Sequence, residues 1–198
     1  VLGKEWESIR IKRPRRIKKL PVVLSKEEVK SMIETTRNLK HRAILAVIYS
    51  AGLRISELIS LRPADIDSDR KQIKVLGKGN KYRYTLLSEN ILDMLRIYWR
   101  AYKPERYLFE GQKPGQPISR ETIQVVFKHA CKKTGINKPA SVHSLRHSFA
   151  THLLESGVNL KIIQSLLGHS SLRTTSIYLH VTRFDPSTVK SPFDEIAF

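Results

Sequence analysis

The sequence predicts a fold of the α+β class that is mostly α-helical and carries one small antiparallel β-sheet. Apolar residues recur at helical spacing through most of the chain, and these stretches begin near Ser or Asn and end near Gly. One segment differs, because apolar and polar residues alternate over 73–86 around the Gly-rich run 77–80. Such alternation about a glycine-rich turn is typical of a β-hairpin.

The helices are placed by their end signals. Ser25 followed by Glu28 has the spacing of a capping box, so we expect a helix to begin just after Ser25. The apolar run 41–51 predicts a buried helix that ends at Gly52. Beyond the hairpin we expect helices over 89–102, 120–134, 143–156, 160–167 and 172–180. The predicted buried stripe of the first of these consists of Ile91, Leu92, Leu95, Tyr98 and Trp99.

Net charge is the strongest compositional feature. The 198 residues hold 36 Lys plus Arg against 18 Asp plus Glu, giving a formal net charge of +18 and a pI near 10.2. This excess indicates a polyanionic partner, nucleic acid before anionic membrane, rather than a solubilising surface. No run of about 18 apolar residues is present, so we expect no transmembrane helix. The single Cys131 argues against disulfides or a cysteine zinc site, and we expect a cytoplasmic protein.

The stretch from residue 143 to residue 178 is richest in reactive groups. His143 and Arg146 lie three apart at a predicted helix start, so they share a face near amides that attract anions. His169 follows at a junction of two helices, and Tyr178 lies on the last helix. Arg can clamp phosphate oxygens, His can move protons near neutral pH, and Tyr can form a covalent phosphoester. Taken singly, this histidine could instead cap a helix and the tyrosine could belong to the core.

Two cations upstream are candidates for the same chemistry. Arg54 lies between Leu and Ile and is costly to desolvate unless it meets an anion, either Glu57 or a phosphate. Lys78 lies between two glycines, where backbone can approach a ligand closely, although this run also makes a good turn. His147, four residues after His143, would allow a two-histidine metal site, but no HExxH pattern accompanies it. We therefore expect no metal and assign His147 to packing or hydrogen bonding.

In this order, these pieces resemble the catalytic domain of tyrosine recombinases of the phage-integrase family, which includes the Xer recombinases and the integron integrases. The resemblance covers roughly residues 20–182. It implies the tyrosine recombinase catalytic-domain fold over 21–182, a basic interdomain linker at 1–20 and a tail at 183–198. The segments that carry it are 52–58, 77–81, 143–147, 166–169 and 174–178. The catalytic positions that it implies are Arg54, Lys78, His143, Arg146, His169 and Tyr178, with Glu57 behind Arg54.

The resemblance also implies an activity. Tyr178 would attack a DNA phosphorus and form a 3′-phosphotyrosyl bond, while Lys78 protonates the leaving oxygen and His143 takes or steers the tyrosine proton. Such a site-specific recombinase or integrase needs neither a metal nor a cofactor. Three alternatives stay open from the sequence: a type IB topoisomerase with a similar catalytic set, a catalytically silent DNA-binding domain, and a metal-dependent nuclease.

The two ends of the chain carry expectations about partners. Pro14 argues for an extended linker that follows a DNA groove, against the alternative of a disordered tail. Family members carry a DNA-binding core domain ahead of the linker, so we expect this chain, which begins at Val1, to be part of a longer prokaryotic, nucleoid-associated protein. Phe193 and Phe198 would pack on their own domain or dock on a neighbour when homotetramers assemble on double-stranded DNA. The predicted DNA-contacting residues of the linker are Arg10, Lys12, Arg13, Arg15, Arg16, Lys18 and Lys19.

Overall fold

The computed structural model of the chain describes residues 20–77, 79 and 81–182. Short 3-10 turns cover Pro63–Asp65 and Ser176–His180. The predicted linker contacts at residues 10–19, Lys78 and the tail with Phe193 and Phe198 lie outside the described residues. In chain order, the elements are α1 (Lys26–Thr35), α2 (Leu39–Ala51), α3 (Ile55–Ser60), β1 (Ile66–Asp67), β2 (Gln72–Leu76), β3 (Tyr82–Leu86), α4 (Glu89–Tyr102), α5 (Arg120–Lys133), α6 (Val142–Glu155), α7 (Leu160–Leu167) and α8 (Leu172–Thr175).

The predicted helix ends are largely confirmed. The Ser25 amide donates to the Glu28 carboxylate at 2.7 Å, and the Glu28 amide donates to the Ser25 hydroxyl at 3.1 Å, which completes the capping box. The predicted helix at 172–180 is wrong in its second half, because α8 is one turn long and a 3-10 turn follows it. There the Ser176 hydroxyl donates to the Arg173 carbonyl at 3.0 Å, and such local bonds compete with a regular helix.

The hairpin is confirmed: it consists of β2 and β3, and β1 pairs with β2 to complete a three-stranded antiparallel sheet in the order β1-β2-β3. Its turn is closed by the Gly77 amide, which donates to the Lys81 carbonyl at 2.8 Å. Opposite Val75 in the register stands Arg83, and both residues lie on the inward face with Thr85. The sheet therefore directs one cation towards the interior of the molecule.

Helix α2 runs through the centre of the main hydrophobic core and packs against α4 and α6. Four of the five stripe residues predicted on α4 are buried, but Trp99 is 51% exposed, so that part of the prediction is wrong. Tyr98 takes the inward place instead, because its ring stacks on Tyr102 and packs against Phe109. At about 100° per residue, Trp99 has nearly the same angular position around α4 as the buried Leu92, so its exposure depends on what packs beside the last turns of the helix and not on its helical position.

A second, smaller hydrophobic cluster forms where α6, α7 and the last 3-10 turn meet. The buried members of this cluster are Phe149, Ala150, Ile163, Leu167 and Tyr178. Tyr178 is thus held in a small core of its own, beside the main one.

Among the described helices, none is long and apolar enough to cross a membrane.

Replacing Gly52 by Ala is expected to lower the free energy of unfolding by about 2–4 kcal/mol, from left-handed strain plus overpacking. Gly52 ends α2 at φ +60°, and a Cβ there would lie within 2.6 Å of Phe149 Cε1. Gly135→Ala is the matched control, since Gly135 has φ +69° but open space around it, and it should cost about 1–2 kcal/mol. Urea unfolding of both variants measures the difference, and equal losses would contradict the close approach.

Candidate active site

Most of the predicted site residues meet in one open cleft. Its volume is about 740 Å3, and the start of α3, the first turns of α6 and the segment after α7 all border it. A second cleft shares Arg54 and His169 with the first and is also lined by Gly77 and Lys81, which flank Lys78 in the chain. The predicted residues that line the first cleft are Arg54, His143, Arg146, His169 and Tyr178.

The floor of the site is a single buried carboxylate shared by three arginines. Glu57 is 4% exposed, and its Oε1 accepts from Arg54 Nη1 at 2.7 Å and from Arg83 Nη1 at 2.8 Å. Its Oε2 accepts from the Arg54 amide at 2.8 Å and from Arg83 Nη2 at 2.9 Å, with Arg146 Nη1 at 3.5 Å. The contact between Arg54 and Glu57 is therefore part of a larger cluster.

This cluster carries an unbalanced positive charge. Burial by itself would raise the pKa of Glu57, but hydrogen bonds and charge from Arg83, with contributions from Arg54 and Arg146, lower it below its ordinary value. The carboxylate therefore stays ionised at neutral pH and balances only one of three guanidinium charges. Two positive charges remain beside an open cleft, which is an arrangement that attracts an anion such as a phosphate.

Arg146 is fixed by the ends of two helices. Its Nη1 donates to the Gly52 carbonyl at 2.6 Å, just past the end of α2, and its Nη2 donates to the Leu167 carbonyl at 2.6 Å, the last residue of α7. Helix C-termini carry partial negative charge and unpaired carbonyls, so a buried guanidinium is stabilised there. Burial, followed by the charge of Arg54, lowers the pKa of Arg146 to about 10, which still leaves it charged at neutral pH.

His169 is held as a neutral imidazole. Its Nε2 lies 3.2 Å from Arg146 Nη2, and because a guanidinium carries only donors, this nitrogen is the acceptor. Its Nδ1 then carries the proton and donates to Thr175 Oγ1 at 3.0 Å. Burial, reinforced by the charges of Arg146 and Arg54, lowers the pKa of His169 to about 4.

Tyr178 contacts a histidine that the sequence did not single out for catalysis. Its hydroxyl lies 3.1 Å from His147 Nδ1, and its ring lies nearly parallel to His169 at a centroid distance of 6.5 Å. Burial raises the pKa of Tyr178, although the charges of Arg146 and Arg54 act in the opposite direction. Burial, followed by the charges of His143 and Arg146, lowers the pKa of His147 to about 4, so its imidazole is neutral.

His143 occupies a different place from the one its predicted role suggests. It lies on the exposed rim of the cleft in the first turn of α6, and its imidazole makes no hydrogen bond to any described residue. His147 follows it by four positions on α6 and so shares its face of the helix. This shared helix face was the signal in the sequence that His147 lies beside the other predicted site residues, where it contacts Tyr178.

Arg83 is the second residue that sequence reasoning missed. It is a cation on β3 whose side chain is only 10% exposed, because the strand register turns it inward.

Within the described part of the chain, no group of three His, Cys, Asp or Glu side chains is arranged to hold a metal ion. The site is thus a cluster of arginines, imidazoles and a phenol.

Comparison with known proteins identifies the family of the chain. Residues 22–183 match the phage integrase family, and the chain belongs to it. A tyrosine recombinase of Thermosipho africanus is 40% identical over 176 residues, which cover 87% of this chain and 62% of the relative. The chain therefore spans less than two thirds of that relative's length.

Two solved structures share the fold. The XerA recombinase has a TM-score of 0.75 at 33% identity, covering 86% of this chain and 63% of that one. The XerH site-specific recombinase, bound to palindromic difH substrate in a post-cleavage complex, has a TM-score of 0.75 at 28% identity, covering 83% and 51%. The predicted tyrosine recombinase catalytic-domain fold is confirmed.

Folding stability is expected to fall as the pH is lowered from 6.5, the ordinary histidine value, to about 4. In this window the unfolded imidazoles take up protons that the folded His147 and His169 refuse, so protonation favours the unfolded state. Replacing His169 by Gln should make the pH dependence of the unfolding free energy shallower by up to one proton. Urea unfolding at several pH values measures both slopes, and equal slopes would show that His169 is not held neutral.

Proposed function

We propose that the chain is the catalytic part of a site-specific DNA recombinase that cleaves and rejoins double-stranded DNA through a covalent tyrosine intermediate. The observation that carries this proposal is the shared cleft, which Tyr178 lines together with Arg54 and Arg146, two members of a three-arginine cluster with two unbalanced positive charges. The structures of the XerH site-specific recombinase bound to difH substrate, in complexes before and after cleavage, support it for a relative with this fold.

In this mechanism Tyr178 attacks the phosphorus in line and the 5′-hydroxyl of the next nucleotide leaves. The new bond is a 3′-phosphotyrosyl ester, which conserves the energy of the broken bond, so the reaction draws on no cofactor. Arg54 and Arg146 hold the non-bridging oxygens as charge shifts in the transition state. His169, whose Nε2 accepts from Arg146, holds that guanidinium in place, and its own hydrogen bond to the phosphate requires the other tautomer, with the proton on Nε2. Lys78 would protonate the leaving oxygen from the hairpin turn.

The proton of Tyr178 has two candidate acceptors. The resemblance assigns it to His143, whereas the imidazole within hydrogen-bond distance of the phenol is that of His147. We propose that His147 accepts this proton during attack, because a neutral imidazole at 3.1 Å needs no rearrangement to do so. His143, on the rim, would then contact the phosphate from outside.

The wider partners of the protein belong to the same proposal. The net charge of +18 suits double-stranded DNA, with the linker residues at 10–19 along its phosphates. We propose that the complete protein works as a homotetramer on DNA, in the cytoplasm of a prokaryote and on its nucleoid. The role of the tail in that assembly stays a prediction.

Tyr178→Phe is expected to abolish covalent protein–DNA adducts while leaving DNA affinity within about twofold, because only the nucleophilic oxygen is lost. A pool of nicked duplexes of randomised sequence traps the adducts. Tyr49→Phe is the matched control, since the Tyr49 hydroxyl lies 2.9 Å from His152 Nδ1 outside the cleft, and it should form adducts normally.

The same assay separates the alternatives. Adducts that persist in Tyr178→Phe would remove Tyr178 as the nucleophile. Adducts formed by the wild-type chain in EDTA exclude a silent DNA-binding domain and a metal-dependent nuclease. Relaxation of supercoiled plasmid without recombination sites would instead favour the topoisomerase.

His147→Gln is expected to slow adduct formation by at least about 10²-fold, in the range for loss of a general base, while His143→Gln costs less. His152→Gln is the control, because it removes a similar tyrosine contact elsewhere. Single-turnover rates on the duplex recovered from the pool measure all three. A larger loss for His143→Gln than for His147→Gln would return the proton to His143.

A further inference from the structure

We propose that Arg83 is a positioning residue of the site, which orients Glu57 and thereby presents Arg54 and Arg146 to the scissile phosphate. The proposal rests on the function proposed above and adds a residue that no part of that mechanism uses. Arg83 lines the second cleft, beside Arg54 and His169, but not the first cleft with Tyr178. All three of its side-chain nitrogens donate to Glu57 or to the Leu166 carbonyl, so its action on the phosphate passes through the carboxylate.

The geometry of the pair is that of a two-pronged clamp. Both terminal nitrogens of Arg83 donate to Glu57, one to each carboxylate oxygen, at 2.8 and 2.9 Å. A fork of this kind fixes the plane of the carboxylate as well as its position, because two parallel bonds allow little rotation. Arg54 and Arg146 each reach Glu57 through a single side-chain nitrogen. Arg83 is therefore the partner that sets the direction of the carboxylate.

This arrangement leaves Arg54 available for an anion. Glu57 Oε1 is shared between Arg83 and Arg54, so Arg54 engages it with Nη1 only. Neither Nε nor Nη2 of Arg54 donates to any described residue, and its side chain is 32% exposed towards the cleft. Without Arg83, the buried carboxylate would turn towards Arg54 and form a closed pair with it, because an ion pair in a desolvated site favours the bidentate form.

The third donor of Arg83 ties this clamp to the segment that holds His169. Its Nε donates to the Leu166 carbonyl at 2.8 Å, one residue before the end of α7. The side chain passes beside Gly168, where an added Cβ would lie 2.7 Å from Arg83 Cδ. One guanidinium thus joins β3, α3 and α7, which are far apart in sequence.

The decisive test compares two substrates. In a duplex with a single methylphosphonate at the scissile position, a neutral methyl group replaces one charged non-bridging oxygen, so the arginines have less charge to stabilise. Arg83→Met should slow adduct formation on the ordinary phosphodiester by about 10- to 100-fold, since misplacement by about 1 Å has that effect. On the methylphosphonate the loss should be below about threefold. A variant that is merely less well folded would lose the same factor on both substrates.

Two further variants keep the test informative if Arg83→Met folds poorly. Arg83→Lys preserves the charge but cannot form the fork, so it should retain most of the defect on the phosphodiester. Arg83→Met combined with Glu57→Gln should be no slower than the worse single variant, because residues that act as a unit are not additive. Arg96→Met is the matched control, as Arg96 pairs with Asp93 away from both clefts.

The outcomes distinguish this proposal from the proposed function. Equal losses on both substrates, a fully active Arg83→Lys, or additive effects with Glu57→Gln would overturn the positioning role, while wild-type adducts would still support the recombinase. If the wild-type chain forms no adduct with either duplex, the proposed function fails and the role of Arg83 falls with it.

Discussion

One buried carboxylate organises the site. Glu57 is surrounded by three guanidinium groups from α3, β3 and α6, and like charges at such short distances repel one another strongly. The carboxylate makes the cluster possible without neutralising it. Two of the arginines also hold parts of the fold together: Arg146 joins the ends of α2 and α7, and Arg83 joins the sheet to α7. The same arginines thus determine both the charge of the site and the packing of the helices around it.

The sequence predicted the elements well where a local signal decides them. Capping residues such as Ser25 and terminal glycines such as Gly52 act within one helical turn, so reading them requires no knowledge of the fold. One error came where a distant partner decides: Trp99 is exposed near the end of α4, where its neighbour Tyr98 packs against Phe109. The other has a local cause, because the Ser176 hydroxyl donates to the Arg173 carbonyl and a 3-10 turn replaces the second half of the predicted helix.

The site shows the same division between residues that local sequence predicts and residues that depend on distant partners. Arg54 and Tyr178 were predicted from their motifs, and the structure brings them to one cleft. Arg83 could not be predicted in this way. A strand residue shifted by one position would face the opposite side of the sheet, and only the pairing of β2 with β3 determines which side Arg83 faces. His147 was assigned to packing or hydrogen bonding, but its contact with Tyr178 could not be predicted, because the two residues are 31 positions apart and the contact depends on how α6 meets the last turn.

Tyr178, the nucleophile of the proposed reaction, lies on a short 3-10 turn and is therefore linked closely to the part of the chain that follows it. Its carbonyl accepts from the amides of Val181 and Thr182 and from the Thr182 hydroxyl, at 3.0–3.1 Å and 2.7 Å respectively. A force applied to the polypeptide after residue 182 would therefore reach Tyr178 across only four residues, because no long helix lies between them. In the homotetramer proposed above, a neighbouring subunit that binds the segment after residue 182 would set the timing of attack by Tyr178 without contacting the phosphate.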